Sequence, residues 1–74
     1  MEKQFIEFVA EIMETEASDL SMETAYKEYE KWDSLMMLNL VMEIEAEYGI
    51  SIPMEKVSTI RTLADLYALV ADKT

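Results

Sequence analysis

Seventy-four residues make at most one small domain, expected to run over 1–74, and the chain has no cysteine and no histidine. That excludes disulfides, zinc held by either residue, and the commonest general base. Six basic residues against sixteen acidic ones give a net charge of −10, a field that repels nucleic-acid phosphates and draws in basic protein surfaces.

The N-terminal segment Met1-Glu2-Lys3-Gln4 opens directly into an amphipathic pattern, without the basic and continuous apolar regions of a signal peptide. No stretch approaches the ~20 apolar residues of a membrane span. Both features, with the lack of cysteine, point to the cytoplasm. Phe5, Phe8, Val9 and Ile12 follow the i, i+3, i+4, i+7 spacing of one helix face, which predicts a first helix over 2–15. Residues 16–32 lose that periodicity. Ser18, Asp19, Ser21 and Thr24 favour turns there, because their side chains bond nearby backbone groups. Leu20, Met22, Tyr26, Tyr29 and Trp32 are placed to pin this long connection to the helices.

Met37, Leu40, Val41, Ile44 and Tyr48 form the next stripe, on a helix expected from Asp33–Ser34 to Gly49. Gly49 can adopt the left-handed conformation that ends a helix. Pro53 can open a short helical turn, expected to close near Val57. Thr62 followed by Asp65 resembles a capping box, and Leu63, Leu66, Tyr67 and Val70 give a last stripe. The expected fold is all-α: a small bundle of three longer helices and one short one, with a long loop between the first and second. Its only strand signal is the brief Ile50–Ile52 alternation.

The middle helix has more apolar residues than one face needs. At about 100° per residue, Leu35 and Met42 share a bearing well away from the inward stripe, with Met36, Asn39 and Glu43 close to it. Methionine is flexible and common where varied partners are accepted. Leu35, Met36, Asn39 and Met42, rimmed by Glu43 and Glu47, are therefore candidates for a partner-binding surface. The bland reading is that the loop 16–32 folds over them.

Asp33-Ser34 also has two readings. Aspartate is a favoured helix cap, and serine at a first helical position is ordinary. The same geometry leaves the serine exposed at a helix end that favours phosphate, beside a carboxylate suited to magnesium. With no histidine or other obvious base to activate Ser34, any chemistry at this hydroxyl must come from another protein. A calcium sensor is excluded, since the spaced ligands and central glycine of a calcium loop are missing.

Trp32-Asp33-Ser34-Leu35, Glu43, Glu47-Tyr48-Gly49-Ile50, Ile52-Pro53 and Thr62-Leu63-Ala64-Asp65-Leu66 together resemble the acyl carrier protein family. The Asp-Ser-Leu triplet alone is weak. The triplet opening an amphipathic helix, with the later segments at family spacing, is specific. The resemblance implies that Ser34 is esterified by 4′-phosphopantetheine from coenzyme A. It implies a separate magnesium-dependent phosphopantetheinyl transferase, with Asp33 contacting the metal only during that step. It further implies a carrier with no enzymatic activity of its own. The arm's thiol would take an acyl or aminoacyl group as a thioester from a loading enzyme and present it to a downstream synthase or transferase. The cargo pocket would involve Met37, Leu40, Ile44 and Tyr26. A monomer is expected.

Three departures from the family pattern stand out. Carriers of fatty-acid synthesis usually have acidic residues where this chain has Met36 and Asn39, so docking here should rest less on charge. They commonly have glycine two residues before the aspartate, where Lys31 stands, followed by Trp32. The Trp-Asp-Ser-Leu form looks more like the stand-alone carriers of specialised pathways. Met37 lies where the family's cargo cavity begins, and its bulk can shorten or close that cavity unless the flexible side chain moves aside. The competing function is an interaction module of carrier fold whose Ser34 is never modified.

Overall fold

A computed structural model of the chain describes residues 2–73, so Met1 and Thr74, the two ends of the expected domain, lie outside the described residues. The elements are α1 (Glu2–Met13), a 3-10 turn (Ala17–Asp19), α2 (Ser34–Tyr48), α3 (Met54–Val57) and α4 (Leu63–Lys73). Among the described residues there is no strand. Ile50–Ile52 is irregular backbone, and the one pairing of strand type is an isolated bridge between Ala25 and Thr62.

α1 ends at Met13 rather than at 15, because Glu14 turns left-handed with φ of 57°. The amides of Glu14 and Thr15 then donate back to the carbonyls of Glu11 and Ala10, at 3.2 and 3.0 Å. These bonds satisfy carbonyls that a helix end otherwise leaves open. α2 ends in the same way, with Gly49 at φ of 65° and the Ile50 amide on the Glu45 carbonyl at 3.2 Å. Glycine meets that conformation without a Cβ clash; glutamate bears a strain there.

The core-facing line of α1 is Phe5, Val9 and Met13, with Ala10; Phe8 and Ile12 stand on its flank, half-buried. Met37, Leu40, Val41 and Ile44 of α2, Ile52 and Val57 around α3, and Ile60, Leu63, Leu66 and Val70 complete one apolar cluster. Edge-on ring contacts link Phe5 to Tyr67 at 5.2 Å and Phe8 to Tyr48 at 6.1 Å, joining α1 to α4 and to α2. Among the described residues no polar or charged side chain belongs to the buried set.

The connection 16–32 is ordered by two anchors. Leu20 and Trp32 are buried in the core, with Met22, Tyr26 and Tyr29 half-buried beside them. The segment 22–25 also runs against the start of α4. The Leu63 amide donates to the Thr24 carbonyl at 3.1 Å, and the Ala64 amide to the Met22 carbonyl at 2.8 Å. Thr62 and Asp65 form the expected box: the Asp65 amide donates to Thr62 Oγ1 at 3.3 Å, and the Thr62 amide to Asp65 Oδ2 at 3.2 Å. First-turn amides have no acceptor inside their own helix; in α4 the loop and the box supply them. The long loop is thereby held in register with α4, and its last residues lead straight into α2.

Candidate functional site

α2 begins where Asp33 adopts an extended backbone and its Oδ1 accepts the Met36 amide at 2.9 Å. The Asp33 carbonyl accepts the Met37 amide, also at 2.9 Å. This is the capping geometry expected of the sequence. Ser34 is the first helical residue and is exposed, as is Asp33. The amides of Ser34 and Leu35 have no acceptor among the described residues. These free donors, at the positive end of α2, suit a phosphate ester on the Ser34 hydroxyl.

Tyr26 reaches the same spot from the loop. Its hydroxyl lies 3.1 Å from Ser34 Oγ. The ring leans on Trp32, with centroids 5.5 Å apart and planes at 51°. Lys27 holds its ammonium 5.5 Å from the Tyr26 ring centroid, on a backbone with φ of 76°. The sequence places Tyr26 among the cargo residues; the structure puts its hydroxyl on Ser34. Nothing in the spacing announces this contact, because it joins residues of an aperiodic loop to a helix start.

The outward face of α2 stays uncovered. Leu35 is 78% exposed and Met42 67%, so the loop 16–32 does not fold over them. Asn39, Glu43 and Glu47 are exposed as well, whereas Met36 is half-buried and packs against the core. The helical bearing explains the difference: Met36 lies about 100° from Leu35, toward the inward stripe. Leu38, 47% exposed, belongs on the outer face and was legible by the same bearing, but does not figure among the residues picked out from the sequence. Lys31, Asp33, Leu35, Met36, Leu38, Asn39 and Met42 together line an open, mainly apolar groove.

Of the residues assigned to a cargo pocket, Leu40 and Ile44 are fully buried and Met37 nearly so, all on the inner face of α2. Tyr26 is half-buried at the edge of that core. Glu45 lies beyond them, its Oε2 accepting the Ile52 amide at 2.7 Å and fixing the passage from α2 to α3.

A family model described as "Phosphopantetheine attachment site" matches residues 3–70. The acyl carrier proteins of Rickettsia canadensis and Rickettsia massiliae are each 34% identical to this chain over 73 residues, which is 99% of the chain and 85% of the relative. That of Rickettsia typhi is 33% identical over the same span. With a family match that runs from α1 through most of α4, and relatives covered over most of their length, the chain belongs to the acyl carrier protein family and is a carrier rather than an enzyme.

Proposed function

We propose that this carrier holds acyl, aminoacyl or peptidyl intermediates as thioesters on a 4′-phosphopantetheine arm attached to Ser34, and presents them to partner enzymes. The supporting observation is Ser34 itself: an exposed hydroxyl on the first turn of α2, beside free backbone donors and directly after Asp33. Once bound, the arm supplies a flexible thiol that forms the thioester. The residues of the chain do the rest. Ser34 provides the attachment oxygen. Asp33 keeps the helix start in place through Oδ1 and leaves Oδ2 for the magnesium ion of a phosphopantetheinyl transferase. In this reading the setting is the cytoplasm, and the carrier acts as a monomer with Ser34 and the outer face of α2 both open.

Partners in this reading dock on α2 at Leu35, Met36, Asn39 and Met42, with Glu43 and Glu47 as an acidic rim and Leu38 as a further apolar contact. Apolar contact supplies affinity, and the net charge of −10 speeds the encounter with basic surfaces. Cargo enters beside Met37, whose unbranched side chain can move aside to expose Leu40 and Ile44.

Incubation with coenzyme A, magnesium and a broad-specificity transferase tests the attachment site. The intact mass should rise by one phosphopantetheine group. Ser34→Ala should stay unmodified yet keep its fold, because Asp33 still caps α2. Equal labelling of the alanine variant would move the attachment site elsewhere.

A further inference from the structure

We propose that Tyr26 is a positioning residue for Ser34: its hydroxyl fixes the serine oxygen before modification and afterwards hydrogen-bonds the phosphodiester attached there. The proposal rests on the reading of Ser34 as the attachment site. An exposed serine at a helix start is otherwise free to exchange among staggered rotamers. Here a hydroxyl 3.1 Å away selects one. Tyr26 is well placed to impose that choice, because it is anchored independently of α2. Its amide donates to the Arg61 carbonyl at 2.7 Å, and the neighbouring Ala25 bridges to Thr62 at the start of α4. Trp32 and Lys27 flank its ring, each 5.5 Å away by centroid or ammonium.

Either hydroxyl can donate in this pair. With Tyr26 donating, the serine proton stays available to a base and an Oγ lone pair stays available for attack. The transfer then balances as follows. The bond from Ser34 Oγ to the pantetheine-bearing phosphorus of coenzyme A forms, and the bond from that phosphorus to the leaving adenosine 3′,5′-bisphosphate breaks. The serine proton passes to a base supplied by the transferase. In the product, Oγ is a bridging ester oxygen and a poor acceptor, while the non-bridging oxygens carry the negative charge. The Tyr26 hydroxyl turns to one of these, making a charge-assisted hydrogen bond stronger than the one it leaves.

Tyr26→Phe keeps the ring and its packing and removes only the hydroxyl. In the unmodified protein, the Ser34 Hα–Hβ couplings should report one rotamer for the parent and averaged rotamers for Tyr26→Phe. In the loaded protein, the phosphorus-31 shift of the phosphodiester should differ between the two. The kcat/KM of modification should fall about two- to tenfold, the range for losing one hydrogen bond. Identical couplings and identical phosphorus shifts, at matched melting temperature, would make Tyr26 a packing residue only and overturn the proposal. Should the variant fail to fold, the parent's own Ser34 couplings decide: a single rotamer supports the proposal, and averaging overturns it. Ser34→Ala separates the two readings. If the parent is labelled and the alanine variant is not, the attachment site stands whatever Tyr26 does. If both are labelled, the attachment site falls and the Tyr26 proposal falls with it.

Discussion

The Asp33 carboxylate has two oxygens, and the Met36 amide takes one of them, Oδ1, at 2.9 Å. Asparagine offers a cap of nearly equal strength but no negative charge for a metal, so Asp33→Asn separates the cap from the proposed magnesium contact. Its melting temperature should stay close to the parent's, while Asp33→Ala should cost about 1 kcal/mol of stability. Modification of Asp33→Asn, followed by mass over time at several magnesium concentrations, should be slower and need more metal. A parental rate with parental magnesium dependence would leave Asp33 as a cap alone. Tyr48 gives a second test at this scale. Burial first, then the charges of Glu47 and Tyr67, raise its hydroxyl above the ordinary value of 10.0. A raised value means the folded protein holds this proton more tightly than the unfolded chain does. The contribution to stability is therefore complete below pH 10.0 and lost as the pH climbs past it toward the folded-state value. Denaturant titrations at pH 8 and above 10 should show the parent losing more stability than Tyr48→Phe. The cap at Asp33 was legible because capping is local. The Tyr26–Ser34 contact was not, since only the folded path of the loop brings those residues together.

α2 has two apolar faces, one buried and one exposed. The inner one is Met37, Leu40, Val41 and Ile44; the outer one includes Leu35, Leu38 and Met42. Met42 is 67% exposed and Ile44 is fully buried, so matched substitutions should act oppositely. Met42→Glu should weaken loading by cognate enzymes and leave melting nearly unchanged. Ile44→Ala should cost about 2–5 kcal/mol of stability, as core truncations do. Thermal melting beside a loading assay for both variants decides it; Met42→Glu unfolding as readily as Ile44→Ala would remove the docking surface from this face. The inner stripe of α2 was readable from spacing alone. The end of α1 was not: Glu14 in a left-handed conformation breaks the usual glycine preference, so a pattern-based boundary runs on past Met13.

At the scale of the whole molecule, sixteen acidic groups against six basic ones sit on a body of 26 × 23 × 18 Å. Like charges at such density repel one another and weaken the compact state. Moderate salt or millimolar divalent cation should raise the melting temperature by several degrees, given that about 1 kcal/mol corresponds to ~4–8 °C in a domain of this size. A melting temperature indifferent to both would mean that the charges lie too far apart to interact. The helix count and order followed from the apolar spacing, Gly49, Pro53 and the Thr62–Asp65 box, each a local signal. The side chains that pin the loop 16–32, Leu20 and Trp32 above all, were legible too; its register against α4 was not, because that rests on backbone groups, the carbonyls of Met22 and Thr24 on the amides of Ala64 and Leu63. Backbone pairing leaves no mark on residue type.

Trp32 is the chain's one tryptophan, is sealed from solvent, and stands two residues before Ser34 with its ring against Tyr26. Its indole N–H has no acceptor among the described residues. An indole kept dry emits at shorter wavelength than one in water, and its brightness responds to the groups packed on it. Excitation absorbed by the adjacent phenol also passes to it at this separation. The protein thus carries its own fluorophore two residues from Ser34, the proposed attachment residue. Unfolding, and the proposed arm transfer and enzyme docking, should each be observable by light from a single residue, with no dye attached.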